Sequence, residues 1–109
     1  MTDAMGKRDL TRASTLFERG CMLKNDSSCT LYGIDRLRVD FPKAESLLSH
    51  ACERGDQTAC TSLGGAYYDH GDRARAQLLL DRGCSLGYAA GCTRAQWLRR
   101  GGLGEMPVK

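Results

Sequence analysis

Residues 48–64 read LSHACERGDQTACTSLG, and this stretch decides the fold. Its two cysteines, Cys52 and Cys60, lie eight residues apart, and the same spacing recurs on both sides. Successive pairs are offset by 31 and then 32 residues. A fixed period of this length indicates a tandem array of one small supersecondary unit. The three pairs are Cys21 and Cys29, Cys52 and Cys60, and Cys84 and Cys92.

An apolar stripe precedes the first cysteine of every pair. Counted back from that cysteine, positions −8 and −1 are small and positions −5 and −4 are large. These spacings of three, one and three predict an amphipathic helix that ends near the cysteine. An aspartate stands at −12 in each unit (Asp9, Asp40 and Asp72), where its carboxylate suits a helix N-cap. The stripes are Ala13, Leu16, Phe17 and Gly20; Ala44, Leu47, Leu48 and Ala51; and Ala76, Leu79, Leu80 and Gly83.

A second helical pattern opens at the second cysteine of each pair, with candidate starts at Asp26, Asp56 and near Tyr88. The linkers are short, so neighbouring helices must run antiparallel. The sequence therefore predicts an all-α fold, an α/α solenoid of three antiparallel helix hairpins over 9–38, 40–70 and 72–100. Residues 1–8 are predicted to be a disordered lead and 101–109 a flexible tail. The six predicted helices cover about 9–22, 26–38, 42–54, 57–70, 72–85 and 88–100.

The cysteine positions favour one disulfide inside each hairpin. One cysteine lies in the last turn of a helix and its partner lies in the first turn of the next, so the two turns face each other across the loop. The pairing Cys21–Cys29, Cys52–Cys60 and Cys84–Cys92 is the simplest of the 15 possible ones. Two alternatives stay open, a zinc site and reactive thiols. Zinc ligands usually lie two to four residues apart and the chain has only His50 and His70, while Cys-x-x-Cys is absent.

Composition excludes several classes of function. The 109 residues carry 16 basic and 13 acidic side chains, a net charge of +3, so we expect no nucleic-acid partner. Apolar runs are short, so we expect no membrane insertion. Residues 1–10 lack the apolar core of a signal peptide, yet paired cysteines favour an oxidising compartment. The expected location is periplasmic or secreted, with a cytoplasmic protein carrying reduced thiols as the alternative.

The stretch from Leu48 to Gly64 resembles the Sel-like repeats, α/α repeats that are related to tetratricopeptide repeats. The cysteine pairs look like the cysteine-rich branch of that family, typified by the Helicobacter cysteine-rich proteins. The resemblance covers about residues 9–100. It weakens at Tyr32-Gly33 and again at Ala95-Gln96, which stand where the middle unit has Leu63-Gly64. It implies a secreted or periplasmic solenoid that has a disulfide in each hairpin and presents a concave surface to a peptide or protein.

The exposed positions of the second-cysteine helices are the expected binding sites, because those helices usually line one face of such a solenoid. Arg, Tyr and Trp dominate binding hot spots. For two of the candidates a packing role is the alternative: Trp97 on the last hairpin, and Arg99 at a helix C-terminus, where positive charge is favoured. The predicted partner-binding residues are Arg36, Arg38, Tyr68, Arg94, Trp97 and Arg99.

The function expected from these features is a protein- or peptide-binding scaffold without catalytic activity, cofactor or metal. Some cysteine-rich members of the family bind or weakly hydrolyse penicillin-type compounds, so β-lactam binding or hydrolysis is the alternative. No serine here has Lys three residues on, so the Ser-x-x-Lys signature of serine β-lactamases is missing. A third hypothesis is a structural module from a longer solenoid. The sequence predicts no catalytic residue and leaves the oligomeric state open.

Overall fold

A computed structural model describes residue 16, residues 18–23 and residues 26–107. The predicted lead over 1–8, the Asp9 cap and the end of the predicted tail at residues 108–109 lie outside the described residues. All regular structure in the described part is helical, which confirms the all-α prediction. The fully described helices begin and end within two residues of their predicted bounds. The helices are α1 (described at residues 16 and 18–22), α2 (Asp26–Arg36), α3 (Phe41–Glu53), α4 (Gln57–Asp69), α5 (Arg73–Ser85) and α6 (Ala89–Arg99).

Aspartates cap three of the helices at their N-termini. Asp40 accepts a hydrogen bond from the Lys43 amide, and Asp72 accepts one from the Arg75 amide, which confirms both predicted caps. Asp56 accepts from the amides of Thr58 and Ala59. Each carboxylate satisfies amides that have no partner within the helix. Tyr88 takes the same position before α6 but makes no capping hydrogen bond through its side chain.

Glycines end α3, α4 and α5 in the same way. Gly55, Gly71 and Gly87 all have a positive φ, which non-glycine residues rarely adopt. The N–H of each glycine donates to a carbonyl three residues back, and the N–H of the next residue donates to a carbonyl five residues back. This is the Schellman motif. The residue after the glycine already occupies the N-cap position of the following helix, so each reversal takes only three residues.

The helices stack in two layers. From α2 onward, consecutive helices pack against each other. Cα atoms of α2 and α4, and of α4 and α6, lie within 8 Å of each other, whereas those of α3 and α5 do not. The second-cysteine helices therefore form the closely spaced inner layer. Leu48 of α3 and Leu80 of α5 are fully buried between the layers. A Cβ on Gly33 would lie 2.9 Å from Leu48, and one on Gly64 would lie 3.0 Å from Leu80, so each leucine fills the space beside a glycine of the preceding hairpin.

Each hairpin is closed by its own disulfide, as predicted. The bonds join Cys21 to Cys29, Cys52 to Cys60 and Cys84 to Cys92, with Cα–Cα distances of 4.3, 4.7 and 4.4 Å. No cysteine is free. The sulfur atoms therefore serve as crosslinks within each hairpin, and this is the arrangement that an oxidising environment maintains.

Residues 101–107 have no regular structure but lie against the solenoid. The Tyr68 hydroxyl donates to the Gly104 carbonyl at 2.7 Å, and the Arg73 guanidinium donates to the Gly102 carbonyl at 3.0 Å. Arg94 Nε donates to the Pro107 carbonyl at 2.9 Å. We call residues 102–107 the return segment. The sequence predicts a flexible tail here, and that flexibility stays a prediction. The contacts place the segment against α4, the start of α5 and α6.

Candidate functional site

A groove of about 1060 Å³ runs along the inner layer of helices. Its floor on α4 is made of small side chains, which let another chain approach closely. Its walls come from the end of α2, the start of α3, the middle of α6 and the return segment. The lining residues are Ile34, Asp35, Leu37, Arg38, Val39, Phe41, Thr61, Ser62, Gly65, Ala66, Asp69, His70, Arg94, Glu105, Met106 and Pro107.

The groove combines an aromatic wall with charges of both signs. Phe41 packs against His70 with ring centroids 4.3 Å apart, and it meets Tyr67 edge to face at 6.0 Å. Asp69 is exposed on the α4 side. A surface with this mixture offers hydrogen bonds and apolar contact at once, as the rims and cores of protein interfaces do.

Two of the predicted binding residues line the groove. Arg38 is exposed beside the end of α2. Arg94 is half-buried on α6, where its guanidinium donates to the Pro107 carbonyl. These two arginines put positive charge on two different walls of the same groove.

Two more predicted residues lie under the return segment. Tyr68 and Trp97 meet edge to face with ring centroids 5.4 Å apart, and both pack against the core. The Arg73 guanidinium lies over the Tyr68 ring at 5.6 Å. Gly102 lies so close to Trp97 that a Cβ there would be 2.3 Å from the indole. The pair therefore supports the return segment and also packs on the last hairpin.

The structure does not bring the last two predicted residues into the groove. Arg36 donates to the carboxylate of Asp35 at 3.1 and 2.7 Å, and this hydrogen bond raises the pKa of Arg36. Arg99 forms an ion pair with Asp81 that joins α6 to α5. Gln77 also donates to Asp81, at 3.0 Å. Arg36 is therefore paired within α2, and Arg99 is paired across to α5.

The sequence analysis did not predict the groove residues that belong to the return segment, or the arginine that holds this segment. Glu105, Met106 and Pro107 line the groove, and Arg73 holds the segment although it belongs to a first-cysteine helix. Residues after 100 show no periodicity, so no pattern signalled that they fold back. The proline offers no backbone donor and cannot extend a helix, which is consistent with the irregular path.

A cluster of three side chains, Lys43, Tyr32 and Glu18, lies outside the groove. The pKa of Lys43 is raised, first by a hydrogen bond with the Tyr32 oxygen and then by the charges around it. The Lys43 ammonium lies 5.1 Å from the centroid of the Tyr32 ring and 3.9 Å from the carboxylate of Glu18. Tyr32 in turn donates to Glu18 at 3.1 Å. This cluster joins α1, α2 and α3.

A smaller cavity of about 560 Å³ lies beside the first disulfide. His50 and Arg54 line it, and so does Asp56, whose carboxylate accepts a hydrogen bond from Thr30 at 2.5 Å. The Cys21 and Cys29 sulfurs at its wall are bonded to each other and are not nucleophiles. The cavity therefore has the character of a gap between hairpins.

Among the described residues, no three His, Cys, Asp or Glu side chains are grouped so that they could hold a metal ion. No helix in that part of the chain has the length and apolar character needed to cross a membrane. Comparison of the chain with protein-family models, with curated proteins and with solved structures found no match.

Proposed function

We propose that this protein is a repeat scaffold that binds a peptide or an extended segment of a protein in the groove along α2, α4 and α6. The observation that carries the proposal is the groove itself, with Ser62, Gly65 and Ala66 on its floor and Arg38 and Arg94 on its walls. Small floor residues admit a peptide backbone, and guanidinium groups donate to its carbonyls. The role is binding, without catalysis.

The proposal includes membership of the cysteine-rich branch of the Sel-like repeats and a secreted or periplasmic location. One disulfide within each hairpin supports both parts. Disulfides form and persist where the environment is oxidising. The resemblance of Leu48–Gly64 to the repeat pattern is the support for the family.

A peptide-selection experiment tests the binding function. The oxidised full chain is immobilised and panned against a random peptide library, and the affinities of recovered peptides are measured by fluorescence anisotropy. Gly65→Phe fills the floor of the groove, where a Cβ meets nothing within 4 Å. Leu78→Phe adds a similar ring on α5, at a position that is 71% exposed.

We expect Gly65→Phe to weaken binding by about tenfold or more, since central interface positions dominate affinity, and Leu78→Phe to leave it unchanged. The proposal is wrong if no peptide is recovered, or if the two variants bind the recovered peptides equally well.

A further inference from the structure

The return segment forms one wall of the groove and is held on the solenoid in the manner of a bound peptide. Tyr68, Arg73 and Arg94 each donate to a backbone carbonyl of the segment, at Gly104, Gly102 and Pro107. All three acceptors are main-chain atoms. These hydrogen bonds therefore depend on the backbone path of the segment and not on the identity of its side chains.

The packed positions of the segment lie at its two ends, and the exposed positions 103–105 lie between them. Met106 is partly buried against the core, and it lines the groove with Glu105 and Pro107. Leu103 is 82% exposed. Gly102 packs on Trp97 where no side chain would fit. The segment is thus held at its start by Gly102, at its middle by Gly104 and at its end by Met106 and Pro107.

We propose that residues 102–107 are an intramolecular ligand of the donors on Tyr68, Arg73 and Arg94 at the edge of the groove, and that external peptides compete with them for these donors. The proposal rests on the proposed function and names its substrate class. The partner is an extended peptide that presents free backbone carbonyls and small or apolar side chains, as Gly-Leu-Gly-Glu-Met-Pro does here.

The composition of the segment suits a ligand that must be displaced. It contains Gly102 and Gly104, and glycine loses more conformational freedom on ordering than any other residue. Docking therefore carries a large entropic cost, which offsets part of the hydrogen bonding. An external peptide can bind only the fraction of molecules in which the segment has released these donors, so its apparent affinity is reduced by that fraction.

Trp97, the single tryptophan of the chain, reports docking directly. Met106→Asp places a charge at the packed position of the segment, and Leu103→Asp places the same charge at the exposed position. Gly102→Val gives a second route to release, because its side chain would collide with the indole. We expect Met106→Asp and Gly102→Val to move Trp97 emission to longer wavelength, with helical circular dichroism retained. Leu103→Asp should leave the emission unchanged.

Competition is measured with a fluorescent synthetic peptide of residues 101–107 added to the full chain. If the segment is docked in nine molecules of ten, Met106→Asp and Gly102→Val should bind this peptide about tenfold more tightly than the wild type or Leu103→Asp. Adding Arg94→Gln to Met106→Asp should reverse the gain in affinity for the synthetic peptide. Equal affinities for the wild type and both release variants would overturn the proposal, as would a gain that Arg94→Gln leaves intact.

The same variants separate this proposal from the function on which it rests. If library peptides bind the wild type and Met106→Asp equally and Gly65→Phe blocks them, the binding function stands and the intramolecular ligand is overturned. If Met106→Asp exposes Trp97 but binds neither the synthetic peptide nor any library peptide, both proposals are overturned.

Discussion

At the scale of single residues, the threonine after the second cysteine shows how one repeat differs from the next. Thr30 is buried, and its hydroxyl donates to Asp56 Oδ2 at 2.5 Å. Thr61 is equally buried, but its hydroxyl has no hydrogen-bond partner among the described residues. Tyr88 stands in the third unit where Asp56 stands in the second. The loss of that carboxylate explains the unpaired hydroxyl.

Valine substitutions at the two threonines should therefore have different effects. Thr30→Val removes a hydrogen bond to a charged group, and we expect it to lower the free energy of unfolding by about 1.5–3 kcal/mol. Thr61→Val removes a buried hydroxyl that has no partner, so we expect no loss or a gain of up to about 1 kcal/mol. Urea unfolding with the disulfides intact measures both. Equal losses of unfolding free energy in the two variants would contradict the view that only the Thr30 hydroxyl is hydrogen-bonded.

Tyr67 predicts a dependence of stability on alkaline pH. Burial raises the pKa of Tyr67 above the ordinary value of 10.0, and its hydrogen bond to Glu45 and the Glu45 charge raise it further, against the opposing effect of Arg75. The folded chain therefore holds the phenolic proton more tightly than the unfolded chain. This contribution is complete below the unfolded pKa and is lost as the pH rises through the folded pKa.

Tyr67→Phe isolates that contribution, because it removes the phenolic hydroxyl and keeps the ring. We expect the variant to be less stable by about 1–2 kcal/mol near neutral pH, through the lost hydrogen bond. The difference between the two proteins should shrink above about pH 10. Urea unfolding from about pH 8 to about pH 11 measures it. A constant difference over this range would be evidence against the raised pKa.

At the scale of helices, α6 lacks the cap that α4 has. The backbone at Tyr88 (φ −87°, ψ 110°) matches that at the Asp56 cap (φ −80°, ψ 104°), so an aspartate there needs no change of conformation. We expect Tyr88→Asp to stabilise the protein by about 1 kcal/mol relative to Tyr88→Ala, which loses the same ring without adding a cap. Thermal unfolding of the two variants checks this, and equal midpoints would show that α6 takes no cap.

Adjacent glycines on α4 provide a matched test of the contact between helices. A Cβ on Gly64 would lie 3.0 Å from Leu80 and 3.3 Å from the Ala76 carbonyl, whereas one on Gly65 would meet nothing within 4 Å. Gly64→Ala should force α4 and α5 apart and lower the free energy of unfolding by about 1–3 kcal/mol. Gly65→Ala should raise it by about 0.5–1 kcal/mol through helix propensity. Urea unfolding compares them, and the reverse order would refute this packing.

At the scale of the whole molecule, three equal loops are closed by three disulfides in different surroundings. The loop-closure estimate assigns each bridge about 2.5 kcal/mol, because each spans the same eight residues. Cys52 and Cys60 are 2% and 0% exposed, while the cysteines of the outer pairs are half-buried. The three disulfides have the same sequence spacing, but the solvent exposure of each depends on its position in the stack.

Reduction without denaturant should therefore break the outer disulfides before Cys52–Cys60, since a thiolate must reach the sulfur that it attacks. Alkylation at intervals followed by peptide mass spectrometry gives the order. The intact mass before and after full reduction is the control that counts the bridges. Simultaneous loss of all three would mean that access does not control reduction.

The candidate groove was predictable only in part. That the second-cysteine helices line it follows from the repeat, which is why Arg38 and Arg94 were predicted among the binding residues and lie in it. Arg99 follows the same rule of position, yet its partner Asp81 lies 18 residues earlier on α5. A repeat pattern identifies the helix that a residue occupies, but not the neighbour that its side chain meets.

By itself, the sequence determined what depends on neighbours along the chain: helices from their apolar period, reversals from the short linkers, and cysteines eight residues apart that pair within a hairpin. Only the tertiary structure decided contacts between distant residues. Tyr68 and Gly104 are 36 residues apart, and Arg73 and Gly102 are 29 apart. Such contacts depend on the shape of the assembled stack, and a segment without periodicity carries no local signal of where it will lie.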